Sequence, residues 1–222
     1  MKFKEWEPIY DLILEDMGFG RESDERAAKL LSKILKTKSM KKTPEVVKIE
    51  VLQNTILGKD VVVCGKAPTL SNDIKKMDFN KYVVIAADGA TSVLMNNGII
   101  PDIIVTDLDG NMYDEAMANR QGAIMVVHAH GDNMDALRKE VPGLIRVIGT
   151  TQSKPLENVY NFGGFSDGDR CVFLAKEMGA RTITLIGFDF NDTNVSPVKK
   201  KKLVWAEKLI NMVTEKKINP CL

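Results

Sequence analysis

Over the first 57 residues apolar side chains recur three and four positions apart, and Ala27, Leu30, Leu31, Ile34 and Leu35 make one stripe. That spacing predicts an amphipathic helix, with Ser23 placed to cap it. Thr43 followed by Pro44 predicts a second cap and first turn, and a helix running to about Ile56. Residues 1–57 are therefore expected to form an N-terminal helical segment lying on the domain that follows, 58–222. From residue 60 the pattern changes. Apolar runs of strand length occupy 61–64, 82–87, 103–105, 123–128, 145–148 and 182–187. They are apolar on both faces, as parallel strands covered by helices must be. Helical stretches at 91–97, 132–140 and 169–178 separate most of them, and Leu203, Ala206, Ile210 and Val213 mark a closing helix. The alternation predicts an α/β fold, a doubly wound, mostly parallel sheet flanked by helices.

Composition narrows the partners. With 44% apolar and 27% charged residues, the 222-residue chain has enough apolar side chains for one large core. A net charge of +1 argues against a dedicated nucleic-acid binder. The first twenty residues are charged throughout, and no run approaches the roughly 20 apolar residues a membrane span needs. Cys64, Cys171 and Cys221 are too scattered for a disulfide framework or a zinc site. A soluble protein in a reducing, cytoplasmic setting is expected, with no membrane partner.

Ligands of such sheets bind beyond the carboxyl ends of the strands, and nearly every unusual residue falls there. Gly65 and Lys66 follow the first strand, with Thr69 or Ser71 placed to cap a helix whose N-terminus favours anions. An ordinary strand-to-helix turn has the same composition. Asp88-Gly89 follows the second strand, with Thr91 in the next helical turn. Asp88 is either an N-cap or a carboxylate facing the crevice. After the third strand come Asp107 and Asp109, two residues apart and so able to point the same way. Turns use aspartate freely, but two like charges at a buried strand end are relieved by a divalent cation, and Mg²⁺ favours such ligands.

After the fourth strand, His128 and His130 precede Asp132 and Asn133. Three roles fit: a transition-metal site, polar groups satisfying one another, or one wall of a substrate pocket. Gly163 and Gly164 lead to Ser166 and Asp167, which can cap a helix or offer N–H groups to a phosphate or heterocycle. Asp189 ends the last strand. The run Lys199–Lys202 is the solvated approach to the closing helix or a reach toward phosphate, and the polar loop 191–202 is a candidate lid.

The motifs "CGKAPTL", "ADGATS", "PDIIVTDLDG", "VVHAHGDN", "GFSDGDRC" and "TLIGFDF" occur in order over roughly residues 58–190. Together they resemble the archaeal 6-hydroxymethyl-7,8-dihydropterin pyrophosphokinase family, and the aspartate motifs also resemble thiamine pyrophosphokinase. Two positions depart from the thiamine pattern: Ala90 stands for its second glycine, and Gly110 for the serine after Asp-x-Asp. The Gly65 and "GFSDG" motifs are shared with relatives associated with sugar transfer. The resemblance implies transfer of pyrophosphate from ATP to the hydroxymethyl group of the pterin, with AMP leaving, in tetrahydromethanopterin- or folate-type coenzyme synthesis. It implies Mg²⁺ on Asp107 and Asp109, with Asp88 as a third ligand or orienting the hydroxyl. Gly65, Lys66, Thr69, Gly89, Thr91, Ser166 and Asp167 would bind the nucleotide. His130, Asp132, Asn133 and Asp189 are candidates for the pterin, with Asp167 another possible partner of its ring. A homodimer is consistent with it. The competing expectations are thiamine pyrophosphokinase or a nucleotide-sugar-dependent transferase on the same fold, a His-x-His metallohydrolase, and a nucleotide-binding module without turnover.

Overall fold

A computed structural model of the chain describes residues 1–40 and 46–214. The helix start expected at Thr43–Pro44 and the third cysteine, Cys221, lie outside these residues. The chain opens with three helices, α1 (Phe3–Met17), α2 (Arg21–Ser39) and α3 (Ile49–Ile56). Ser23 lies inside the first turn of α2 and does not cap it. Gly18 ends α1 in a left-handed conformation, so α2 starts early with Gly20 as its N-cap, and the Ser23 hydroxyl donates back to Gly20 O at 2.8 Å.

Each of the six apolar runs forms a strand: β1 (Asp60–Cys64), β2 (Val83–Ala87), β3 (Ile103–Thr106), β4 (Ile124–Ala129), β5 (Val147–Thr151) and β7 (Thr182–Ile186). The two-residue edge strand β6 (Val159–Tyr160) completes a seven-stranded sheet in the order β6-β5-β4-β3-β2-β1-β7. Every pairing is parallel. Val62, Cys64, Val84, Ala86, Ile104 and Val127 point to one face. There they meet α2 and the crossover helices α4 (Leu70–Ile74), α5 (Ala90–Asn96), α6 (Met112–Arg120) and α7 (Met134–Glu140). Val61, Val63, Ile85, Ile103 and Val105 point to the other, against α3, α8 (Asp167–Glu177) and α9 (Pro197–Thr214). Two-sided burial is why these strands read as continuous apolar runs. Each such Val or Ile contributes roughly 1.5–3 kcal/mol.

The N-terminal helices are shared between both faces. Trp6, Tyr10 and Ile13 of α1 pack on Phe165, Phe173 and Leu209, beyond α8 and α9, while α2 lies across the opposite face. Asp16 ties α1 to α9 by accepting from Trp205 Nε1 at 2.8 Å and Lys201 Nζ at 3.1 Å. Among the described residues no helix is long and apolar enough to cross a membrane.

The chain leaving β1 turns to the α4 face, and the chain leaving β7 turns to the α9 face. A crevice opens where these adjacent strands diverge. Gly65 and Gly187 let the two strand ends approach. A Cβ on Gly65 would lie 2.6 Å from Gly187 O, and one on Gly187 would lie 2.3 Å from Gly65 O.

Candidate active site

The carboxylates at the β2 and β3 ends converge. Thr106, the last residue of β3, organises the turn: its hydroxyl donates to Asp88 Oδ1 at 3.0 Å and accepts from Leu108 N at 2.8 Å. Asp88 and Leu108 both have left-handed backbones, φ 41° and 71°, each costing about 1–2 kcal/mol. Leu108 is buried inward, leaving Asp107 and Asp109 on either side of it. One oxygen from each of Asp88, Asp107 and Asp109 lies within 4.8 Å of the others. Burial alone would raise the Asp107 carboxyl, but the His130 hydrogen bond and the Arg170 charge hold it well below the usual carboxylate range. Partial loss of water and the charges of Asp107 and Asp88 push Asp109 up to about 6. Asp107 Oδ1 is buried without a partner. Hard oxygen donors, mutual repulsion and an orphaned oxygen together fit Mg²⁺, which these three residues would hold.

Glu115 of α6 stands behind this cluster. It is 1% exposed, and neither carboxyl oxygen has a standard hydrogen bond. Burial and the Asp88 charge push it up to about 9, so it is protonated at neutral pH. Gly110 leaves room for both groups. A Cβ there would meet Asp88 Oδ1 at 2.5 Å and Glu115 Oε1 at 2.8 Å. The serine of the thiamine pattern would crowd this arrangement.

On the β7–β1–β2 side Asp88 borders a cavity of about 300 Å³. Gly65, Lys66, Asp88, Gly89, Ser166 and Asp167 line one part; Phe188, Asp189, Phe190, Lys199 and Leu203 line the other. Lys66 lies across the turn after β2, where a Cβ on Gly89 would come 2.7 Å from its Nζ. Phe188 and Phe190 form a tilted aromatic pair with centroids 5.7 Å apart. Ser166 caps α8 in a reciprocal box with Asp169, its hydroxyl 2.7 Å from Asp169 Oδ2. Burial and Asp107 push Asp167 up to about 8, with Arg170 opposing.

On the other side lies the loop after β4. Asn133 Nδ2 donates to His128 O at 2.7 Å and Asp107 O at 2.8 Å, and its Oδ1 accepts from His130 N at 3.1 Å. His130 Nε2 lies 3.1 Å from Asp107 Oδ2. His128 is buried, its Nδ1 3.2 Å from Thr150 Oγ1, and burial lowers its pKa so that it stays neutral. The metal-capable cluster found among the described residues contains neither histidine. Each histidine bonds a polar neighbour, His128 at Thr150 and His130 at Asp107 itself.

Comparison with known proteins bears on this arrangement. Residues 36–195 match the family model described as 6-hydroxymethylpterin diphosphokinase MptE-like. The chain belongs to that family. Within it, the 6-hydroxymethyl-7,8-dihydropterin pyrophosphokinase of Pyrococcus furiosus is 51% identical over 191 residues, covering 86% of this chain and 79% of that protein. The protein of the same name from Methanothermobacter thermautotrophicus is 41% identical over 227 residues, covering 95% and 94%. The MptE-like family thus groups this chain with enzymes named for pterin pyrophosphoryl transfer. A MAf glycosyltransferase from Magnetospirillum magneticum shares the fold, with TM-score 0.52, 17% identity and 72% of this chain covered against 30% of its own.

The structure sorts the residues singled out in the sequence. Asp88, Asp107 and Asp109 meet, and Gly65, Lys66, Gly89, Ser166 and Asp167 line the same cavity as Asp88. Thr91 departs from expectation, being fully buried in the first turn of α5. Thr69 is exposed at the start of α4, outside the cavity lining. Asp189 lines the cavity, whereas His130, Asp132 and Asn133 follow β4, so these four do not form one subsite. Lys199–Lys202 lie in α9 and not in a loop, because Ser196 and Pro197 start the helix. Glu115, Arg170, Gln152 and Asp24 were not visible as site residues. Arg170 lies within "GFSDGDRC", but its bond to Gln152 spans 18 positions; the other three belong to no motif, and their partners are distant in sequence.

Proposed function

We propose that this chain transfers the terminal diphosphate of ATP to 6-hydroxymethyl-7,8-dihydropterin. The hydroxymethyl oxygen bonds to the β-phosphorus, the bond from that phosphorus to the α-phosphate bridging oxygen breaks, and AMP leaves. The hydroxyl proton passes to a neighbouring carboxylate or to water. The carrying observation is that Asp88 belongs both to the cluster with Asp107 and Asp109 and to the wall of a cavity of about 300 Å³, large enough for much of a nucleotide. Such transfers demand positioning and neutralisation of charge more than covalent participation.

In this reading Lys66 and Lys199 approach the phosphates, and Phe188 or Phe190 offers an aromatic face to the base. Gly65 and Gly89 keep the backbone close to the polyphosphate. The pterin enters from the β4 side, past His130, Asp132 and Asn133, because the nucleotide fills the opposite side. Asp88 holds metal or orients the attacking hydroxyl. Asp88, Asp107 and Asp109 would hold Mg²⁺, which would supply neutralisation of the phosphate charge. Synthesis of a tetrahydromethanopterin- or folate-type coenzyme in the cytoplasm is the setting this reaction suits.

A product assay with ATP, Mg²⁺ and the dihydropterin, with thiamine in parallel, tests the reading. AMP, not ADP, should appear with the pterin alone. Asp109→Asn should lower turnover about 100- to 1000-fold while leaving the circular dichroism spectrum unchanged. Full activity in that variant would sink the metal assignment.

A further inference from the structure

One buried acid has no part in the site so far. Asp24 of α2 is 5% exposed, and its carboxylate is fully engaged. Oδ1 accepts from Gly131 N at 2.8 Å, and Oδ2 accepts from Gln152 Nε2 at 2.7 Å and Tyr10 OH at 2.5 Å. Two of these bonds lead to the site in one further step. Gly131 follows His130, whose Nε2 meets Asp107 Oδ2. Gln152 Oε1 accepts from an Arg170 terminal nitrogen at 2.9 Å, and Arg170 reaches Asp167 Oδ1 at 3.3 Å. Both cationic or hydrogen-bonding supports of Asp107, His130 and Arg170, are thereby anchored on a single carboxylate.

The contact is close as well as polar. A Cβ on Gly131 would lie 2.4 Å from Ser23 Oγ, so the loop after β4 presses on the first turn of α2. Trp6 Nε1 adds a bond to Gln152 O at 2.8 Å. An apolar side chain would fill the position of Asp24 without the cost of burying a carboxylate. The three donors point to a role in orientation.

We propose that Asp24 is a positioning residue for the reaction. From the N-terminal helices it fixes the His130 loop and Arg170, and so fixes Asp107 in the orientation that receives metal and nucleotide. The inference rests on the reading of Asp88, Asp107 and Asp109 as the cation site.

The test compares Asp24→Asn with Tyr10→Phe in the full chain. Asparagine keeps the shape but turns an amide nitrogen toward one of the donors. Phenylalanine removes the Tyr10 bond and leaves those to Gly131 and Gln152. Asp24→Asn is expected to lower kcat about 10- to 100-fold and to weaken Mn²⁺ binding by a similar factor, with KM for the pterin near wild type. Mn²⁺ binding is read by electron paramagnetic resonance without substrates. Tyr10→Phe should lower Tm and leave kcat and Mn²⁺ affinity unchanged. Wild-type kcat and Mn²⁺ affinity in Asp24→Asn would overturn the proposal, as would losses in both variants that simply follow Tm. If Asp24→Asn does not fold, Gln152→Leu cuts the Arg170 arm alone, and the same losses are expected. Should the wild-type protein form no AMP, the reaction proposed above fails, and the Mn²⁺ titration still decides the role of Asp24.

Discussion

Single side chains around the turn after β3 are held in a state that costs stability. Glu115 shows the sign most clearly. Its folded pKa, about 9, stands above its ordinary value of 4.5, so the folded state holds the proton more tightly. Its effect on stability is therefore most favourable below that ordinary value and is lost as pH rises toward about 9. Glu115→Gln should remove this loss, and its stability advantage over wild type should grow between about pH 5 and pH 9, as urea melts across that range would show. An advantage independent of pH would contradict the assignment. Asp107 and Asp109 could be found from sequence as a pair at a strand end, although they converge through a turn with a left-handed Leu108 and not through strand alternation. Glu115 could not, because the buried positions of α6 are Glu115, Ala118 and Asn119, which leave no apolar stripe. Asp24 and Gln152 stand 128 positions apart, so their bond has no local trace.

At the level of elements, two glycine turns make opposite demands. At the β1–β7 junction a Cβ on Gly65 would meet backbone, Gly187 O, which has no rotamer to yield. Gly65→Ala should therefore cost about 1–3 kcal/mol of stability, visible as a lowered Tm. In the turn from β2 to α5, a Cβ on Gly89 would first meet the flexible end of Lys66. Gly89→Ala should keep Tm near wild type but displace the lysine. Calorimetry should then show nucleotide affinity about tenfold weaker, the scale of one charge-assisted hydrogen bond. Equal thermal losses in the two variants would contradict this contrast. The parallel strands were legible because burial on both faces writes an unbroken apolar run. The two-residue strand β6 is too short to write one. The start of α9 was present as Ser196-Pro197, the cap-and-proline signal also seen at Thr43–Pro44, but the four lysines after it resembled a solvated loop.

For the whole molecule, the cavity joins segments from the middle and the end of the chain. Nucleotide should therefore slow amide exchange in the turn after β7 and the first turn of α9, while α2 exchanges as before. Equal exchange in both segments with and without Mg-ATP would count against closure there. The strand order has one more effect. Asp60 of β1 pairs beside Thr182 of β7, and the Thr182 hydroxyl bonds Asp60 across 122 positions. During synthesis, β1 to β6 leave the ribosome before the strand that must dock at the free edge of β1. Until then that edge presents unpaired backbone, a hazard for sticking to other chains. The cavity wall formed by β7 is thus the last part of the sheet to be assembled, and on the function proposed above a nascent chain would bind nucleotide in full only once β7 and α9 have been made.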